Sequence, residues 1–406
     1  MTDKSYNLPI RRGDYIPASQ KLILGVQHTF TMFGATVLVP ILTGLDISVT
    51  LFCAGIGTLL FHLITQRKLP VFLGSSFAYI TPIALVIREY GGIPAAQGGI
   101  IIAGLMYLIL AFLIYFIGPK VIHSLFPPVV TGPIIMVIGL NLAPVAIDNA
   151  EKGWLIAGVA FFAAAFTSVY VKGFFRLIPV LIGIVAGYVA SLAAGIVDFT
   201  PIVEAKWLGV PNFTLPVFSK EAIFLVAPVA IVTMVEHIGD VLAVSATVEE
   251  DFMLNPGLHR TLIGDGLATS LAGILGGPPN TTYSENTGVL ALTKVWEPSI
   301  MRLAAVFAIA LSLVGKLGGF IATIPAPVIG GISILLFGMI ASIGVRTVVE
   351  NAVDLKKSRN LIISSVILVL GIGGAVFELG AGIKFAGMGL AAITGMILNL
   401  LLPKDL

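Results

Sequence analysis

Pro278-Pro279-Asn280-Thr281-Thr282-Tyr283 and, far ahead of it, Gly74-Ser75-Ser76-Phe77 place helix breakers and β-prone residues inside segments that otherwise read as membrane spans. Backbone that leaves the helix at membrane depth survives only where it is buried in protein or lines a cavity. These two stretches therefore predict the wall of a binding site in a polytopic membrane protein. The composition around them agrees. Of 406 residues, 57% are hydrophobic and 11% charged, against roughly 25% charged in soluble domains, and mean hydropathy is +1.04. The 45 glycines suit helices that approach closely in lipid. A net charge of +2 offers no nucleic-acid footprint. The single cysteine, Cys53, rules out an internal disulfide or a thiolate metal cluster.

A span needs about 20 mostly apolar residues. That criterion places fourteen: 22–43, 48–65, 71–87, 96–117, 124–146, 153–171, 177–196, 222–246, 260–276, 282–296, 299–316, 324–344, 360–377 and 384–402. The first twenty residues are polar, carry Arg11 and Arg12, and lack the short apolar core of a cleavable signal. They read as a cytoplasmic tail. With the tail inside, the inner loops hold most of the basic residues, among them Arg67, Lys68, Arg260 and Arg346. The positive-inside rule then puts both termini in the cytoplasm. The polar stretch 198–220, with Pro201, Pro211 and Pro216, reads as an outer connector between two halves.

An internal repeat relates those halves. Gln27-His28 aligns with Glu236-His237, and the same offset of 209 carries Ser76 onto Glu285. Pro128-Val129-Val130-Thr131-Gly132 is echoed by Pro327-Val328-Ile329-Gly330-Gly331 at an offset of 199. Seven spans per unit is odd, so the second copy enters the membrane upside down. Inverted repeats place the substrate at their interface.

Glu236 and Asp240 lie four apart, on one helix face. A carboxylate near the bilayer centre costs at least about 3 kcal/mol on insertion scales, so such acids mark function. Two of them one turn apart resist joint ionisation, which suits proton-coupled transport. Glu285, after Thr-Thr-Tyr-Ser, is a ligand acceptor or an N-terminal cap for the half-helix that follows. Phe77 could stack on a flat ring. Gln27 and His28 brace the site, His237 faces elsewhere, and Asp265 hydrogen-bonds to a neighbouring helix. Glu249-Glu250-Asp251 reads as a solvated face. No P-loop and no metal-ligand pattern appears, so neither cofactor nor metal is expected. An intramembrane enzyme using the acids as general acid and base remains the reading from another class.

At these residues the chain resembles the nucleobase–ascorbate transporter family, specifically its uracil permease branch. The likeness covers nearly the whole chain. It runs through Gln27-His28, Phe33-Gly34-Ala35-Thr36-Val37-Leu38-Val39-Pro40, Leu73-Gly74-Ser75-Ser76-Phe77, Asn255-Pro256-Gly257-Leu258-His259-Arg260 and Glu285-Asn286-Thr287-Gly288. The resemblance implies a uracil:proton symporter of the plasma membrane working by alternating access, with fourteen helical spans and short strands in the third and tenth. It implies a core domain (21–117 and 221–317) and a gate domain (118–197 and 318–406), flanking the tail 1–20 and the loop 198–220. It also implies substrate contacts from Glu236, Glu285, Phe77, Ser76, Tyr283 and Ser284. Proton coupling would fall to Glu236 and Asp240, with Gln27, His28, Asn286 and Asp265 in support and a homodimer forming through the gate. Asp240, where uracil permeases can carry histidine, and Asp265 look more like the purine branch. They keep a xanthine or uric acid symporter as the alternative.

Overall fold

The computed structural model describes residues 9–118, 125–378 and 384–403. Residues 1–8 of the tail and 119–124, at the start of the fifth expected span, lie outside them. α1 (Ala18–Thr43) ends at Gly44, whose left-handed φ of 81° lets its N–H reach Pro40 O at 2.8 Å. α2 (Ile47–Ile64) starts under a side-chain cap, with Val49 N donating to Asp46 Oδ1 at 2.8 Å. The chain then leaves the helix where the breakers stand. β1 (Leu73–Ser75) leads through a 3-10 turn, Phe77–Tyr79, into the short α3 (Ile80–Glu89). After the long α4 (Gly92–Ile117) come α5 (Pro128–Asn141), α6 (Ala143–Ala150), α7 (Trp154–Tyr170), α8 (Pro179–Ala193) and α9 (Thr200–Glu204).

The second half follows the same order of events. α10 (Lys220–Val226) and α11 (Ala230–Val248) are separated by a 3-10 turn at Pro228, and α12 (Leu258–Leu275) follows. β2 (Asn280–Thr282) then leads into the short α13 (Ser284–Thr293). α14 (Ser299–Ser312), α15 (Gly315–Ala322), α16 (Ala326–Glu350), α17 (Ser358–Ile372), β3 (Val376–Glu378), β4 (Lys384–Ala386) and α18 (Gly387–Leu401) complete the chain. By length and apolarity, six described segments can each cross a membrane, and α14 with α15, bent by 80°, would make a seventh. The other expected spans appear as shorter helices or as strand–helix segments. The expected span 360–377 stops at Ile372, where Gly373 and Gly374 release the chain into β3. α16 instead runs past its expected end at 344, because no breaker follows until Asn351.

β1 and β2 pair antiparallel, with Leu73 opposite Thr282 and Ser75 opposite Asn280. A two-stranded ribbon exposes two edges, which lipid cannot satisfy. Neighbouring threonines satisfy them here. Leu73 N donates to Thr58 Oγ1 at 2.9 Å, and that hydroxyl donates to Leu73 O at 3.2 Å. Thr269 serves Asn280 in the same way, at 3.2 and 3.1 Å. The ribbon is also locked across its strands: the Tyr283 hydroxyl donates to Ser75 O at 2.9 Å. A Cβ on Gly74 would stand 2.3 Å from Cζ of that ring, so only glycine fits. Gly74→Ala is expected to cost about 1–3 kcal/mol, read as a lower Tm of the purified protein. An unchanged Tm would mean that the Tyr283 ring moves aside freely.

Helices α1, α2, α4, α12 and α14 pack on one another, and α5 to α8 pack with α16 and α17. Close approach sets the first group: a Cβ on Gly104 of α4 would lie 2.4 Å from Gly266 O of α12. The described part of the tail is tied to the rest of the chain. Ile10 bridges Val295, with Ile10 N donating to Lys294 O at 2.9 Å and Trp296 N donating to Ile10 O at 2.8 Å. Arg11 pairs with Glu249 at 2.9 Å and covers the Trp296 ring. The acidic run after α11 is therefore partly a docking point for the tail.

Candidate functional site

Where the two strands end, two short helices begin. α3 is entered through the 3-10 turn, whose Phe77 O accepts from Ile80 N, whereas α13 starts directly at Ser284, and its first-turn amides lack an intrahelical partner. Beside them lies a cavity of about 310 Å³, at the lower end of the range for small-molecule sites. α11 contributes Glu236, Gly239 and Asp240 to its wall, and the β2–α13 junction contributes Thr282, Tyr283, Ser284 and Glu285. Phe77 stands at the α3 side. The opposite wall is apolar, built by Ile135 and Ile138 of α5 with Leu336, Met339, Ile340 and Ile343 of α16. A polar, acid-bearing face thus confronts an apolar one across the space.

The acids differ in what holds them. Asp240 accepts hydrogen bonds from Thr282 Oγ1 at 2.7 Å and from Ser284 Oγ at 3.0 Å. It ties α11 to the start of α13. Glu236, one turn earlier, faces the cavity and accepts no such hydrogen bond among the described residues. Glu285 sits exposed to the cavity in the first turn of α13, where a negative charge meets the positive end of the helix. Asp240→Ala strips two donors of their shared acceptor, and hydrogen bonds to charged groups contribute about 1.5–3 kcal/mol each. A thermal melt should show a loss of about 2 kcal/mol or more, smaller for Asp240→Asn, which keeps one acceptor. Equal melts for all three proteins would mean that water replaces the bonds.

The remaining expected residues divide between the cavity and its support. Phe77 lines the cavity and meets Phe337 edge-on, with centroids 6.2 Å apart. Tyr283 borders it but is 4% exposed, and its hydroxyl is committed to Ser75. Ser76 is fully buried and absent from the cavity lining; its N–H donates to Pro279 O at 2.9 Å. Ser284 reaches the cavity while its hydroxyl holds Asp240. Asn286 Nδ2 donates to His28 O at 3.2 Å and lies 3.0 Å from His28 Nδ1, so α1 steadies the turn that carries Glu285. Gln27 is half-buried and outside the lining. Asp265 lies away from the cavity, fully buried, with its Oδ2 3.0 Å from His237 Nδ1.

Three polar residues at the cavity mouth were not expected: Arg346, Thr347 and Glu350. They belong to the extra length of α16. The unbroken run from Gly344 to Glu350 was their only sequence signal.

The chain has relatives among known proteins, in sequence and in fold. The sequence matches the profile of a permease family over residues 19–379. The chain belongs to that family. Its relatives include the uracil permease of Bacillus caldolyticus, 48% identical across 95% of this permease and 92% of that protein. The uracil permease of Bacillus subtilis (strain 168) is 45% identical across 100% and 97% of the two chains. That of Escherichia coli (strain K12) is 42% identical across 95% and 92%. Among solved structures, the transmembrane domain of the cyanobacterium bicarbonate transporter BicA superposes with a TM-score of 0.63 at 17% identity, covering 96% of the permease and 99% of that domain. Murine Slc26a9, an anion transporter, gives 0.70 at 12% identity, covering 97% and 69%. At such identities these two structures establish the fold alone. The permease is a mostly helical, multi-pass membrane transporter and not an enzyme.

Proposed function

We propose that the permease imports uracil together with a proton across the plasma membrane by alternating access, with both termini in the cytoplasm. One observation carries this reading: Glu236 and Glu285 line a single cavity, Glu285 in the first turn of α13. Uracil presents two N–H donors and two carbonyl acceptors along its edge, which suits two carboxylates together with the amides of a helix N-terminus. The names of relatives matched over nearly the full chain support uracil in particular. Phe77 offers a face for the ring. Ser284 and Tyr283 contribute through backbone groups, since their hydroxyls are engaged elsewhere, and Ser76 holds the crossing from behind. Of the two acids on α11, Asp240 is tied to two hydroxyls, which leaves Glu236 to exchange a proton with the cavity.

The motion proposed is of a core (21–117 and 221–317) against a gate (118–197 and 318–406), whose boundary is the cavity between acidic and apolar walls. The unit β1–α3 and the unit β2–α13, each served by one threonine, support an arrangement of fourteen segments in two inverted copies. A homodimer would form through the gate. The deciding experiment is labelled uracil uptake into proteoliposomes, with and without an inward proton gradient, against xanthine and other bases. Gradient-driven accumulation blocked by uracil analogues and not by xanthine is the expected result. Blockade by xanthine would move the permease to the purine class, and accumulation indifferent to the gradient would remove the proton.

A further inference from the structure

An open groove of about 610 Å³ lies between α4, α12 and the end of α2, and shares no residue with the acidic cavity. Its walls are apolar and aromatic, including Leu108, Phe112, Phe116, Ile263 and Leu267. The outer part is exposed: the Phe112 and Phe116 rings meet at a tilt, with centroids 4.5 Å apart, and Tyr115 packs edge-on beside Phe116 at 5.1 Å. At one end stand His259, packed edge-on against Tyr115, and Arg260. Arg260 is half-buried and donates from Nη1 to Ile64 O at 3.4 Å. Among the described residues no carboxylate pairs with it.

That combination is unusual for a surface facing hydrocarbon. An apolar groove in a bilayer takes up acyl chains, and a half-buried guanidinium at its end with no carboxylate partner offers its remaining donors to an anion. A phosphate diester does so well, because the guanidinium fork matches two phosphate oxygens. The location agrees. The C-terminal ends of α2 and α4 and the N-terminal end of α12 meet here, and Arg67 and Lys68 follow α2 at the same end. Basic residues clustered between helices at one membrane face attract anionic lipids.

We propose that this groove is a binding site for an anionic phospholipid, with its acyl chain along Phe112, Phe116 and Ile263 and its phosphate on Arg260 beside His259. Thermal melts of the detergent-purified protein test it, with phosphatidylglycerol, phosphatidylcholine or inorganic phosphate added to wild type, Arg260→Gln and Leu108→Trp. Phosphatidylglycerol should raise the wild-type Tm, while phosphatidylcholine and inorganic phosphate should not. The rise should shrink at least about twofold in Arg260→Gln, which loses the charge, and in Leu108→Trp, which keeps the charge but fills the groove. If Arg260→Gln does not fold, Leu108→Trp decides. A wild-type response in the folded variants overturns the site, as does an equal response to phosphatidylcholine. A response to inorganic phosphate alone replaces the lipid with a free anion and overturns it equally.

Discussion

Glu285→Ala is expected to lower uracil affinity by about tenfold to a hundredfold while leaving the protein folded. The carboxylate is exposed to the cavity at the first turn of α13, so truncation opens no core void. Its loss as a helix-terminal charge costs about 0.3–1 kcal/mol of stability. Its loss as the proposed acceptor for a uracil N–H should cost more, since a hydrogen bond to a charged group contributes about 1.5–3 kcal/mol, and about 1.4 kcal/mol corresponds to tenfold in affinity. Calorimetric titration of the purified protein with uracil separates these effects from a fall in Tm. Wild-type affinity in the alanine variant would remove Glu285 from the site and leave it as a helix cap.

Glu236→Gln should break coupling rather than binding. Glutamine preserves the shape and one acceptor of the glutamate but cannot exchange a proton. If proton and substrate are linked through this group, the affinity of each depends on the other, and the link is reciprocal. Gradient-driven accumulation in proteoliposomes should then fall at least about tenfold, within the usual span of such couplings. Exchange of labelled for unlabelled uracil across the same membrane, which needs no net proton movement, should persist. Full accumulation at wild-type rates under an imposed gradient would place coupling elsewhere. Asp240 would then be the first candidate, since its bonds to Thr282 and Ser284 would have to rearrange on protonation.

Much of this protein was legible in its sequence, because the bilayer leaves few options. Long apolar runs must be helices, and glycine, proline and threonine at membrane depth must be backbone that other protein groups satisfy. That reasoning located β1 and β2 through Gly74-Ser75-Ser76-Phe77 and Pro278 to Tyr283, and intramembrane charge singled out Glu236, Asp240 and Glu285. What sequence could not decide was direction. Ser76 and Tyr283 stand next to the cavity-lining Phe77 and Ser284, yet Ser76 is buried away from the cavity and the Tyr283 hydroxyl crosses to Ser75. Asp240 and Glu236 share a helix face, yet only Asp240 finds two hydroxyl donors, and both come from the β2–α13 junction. Arg346 looked like a loop charge until α16 carried it to the cavity mouth. Composition and breakers determined where the chain is polar inside the membrane, since that cost is local to each segment. Which of those polar groups faces the cavity was decided by contacts between segments 42 to 208 residues apart, and no local pattern records such contacts.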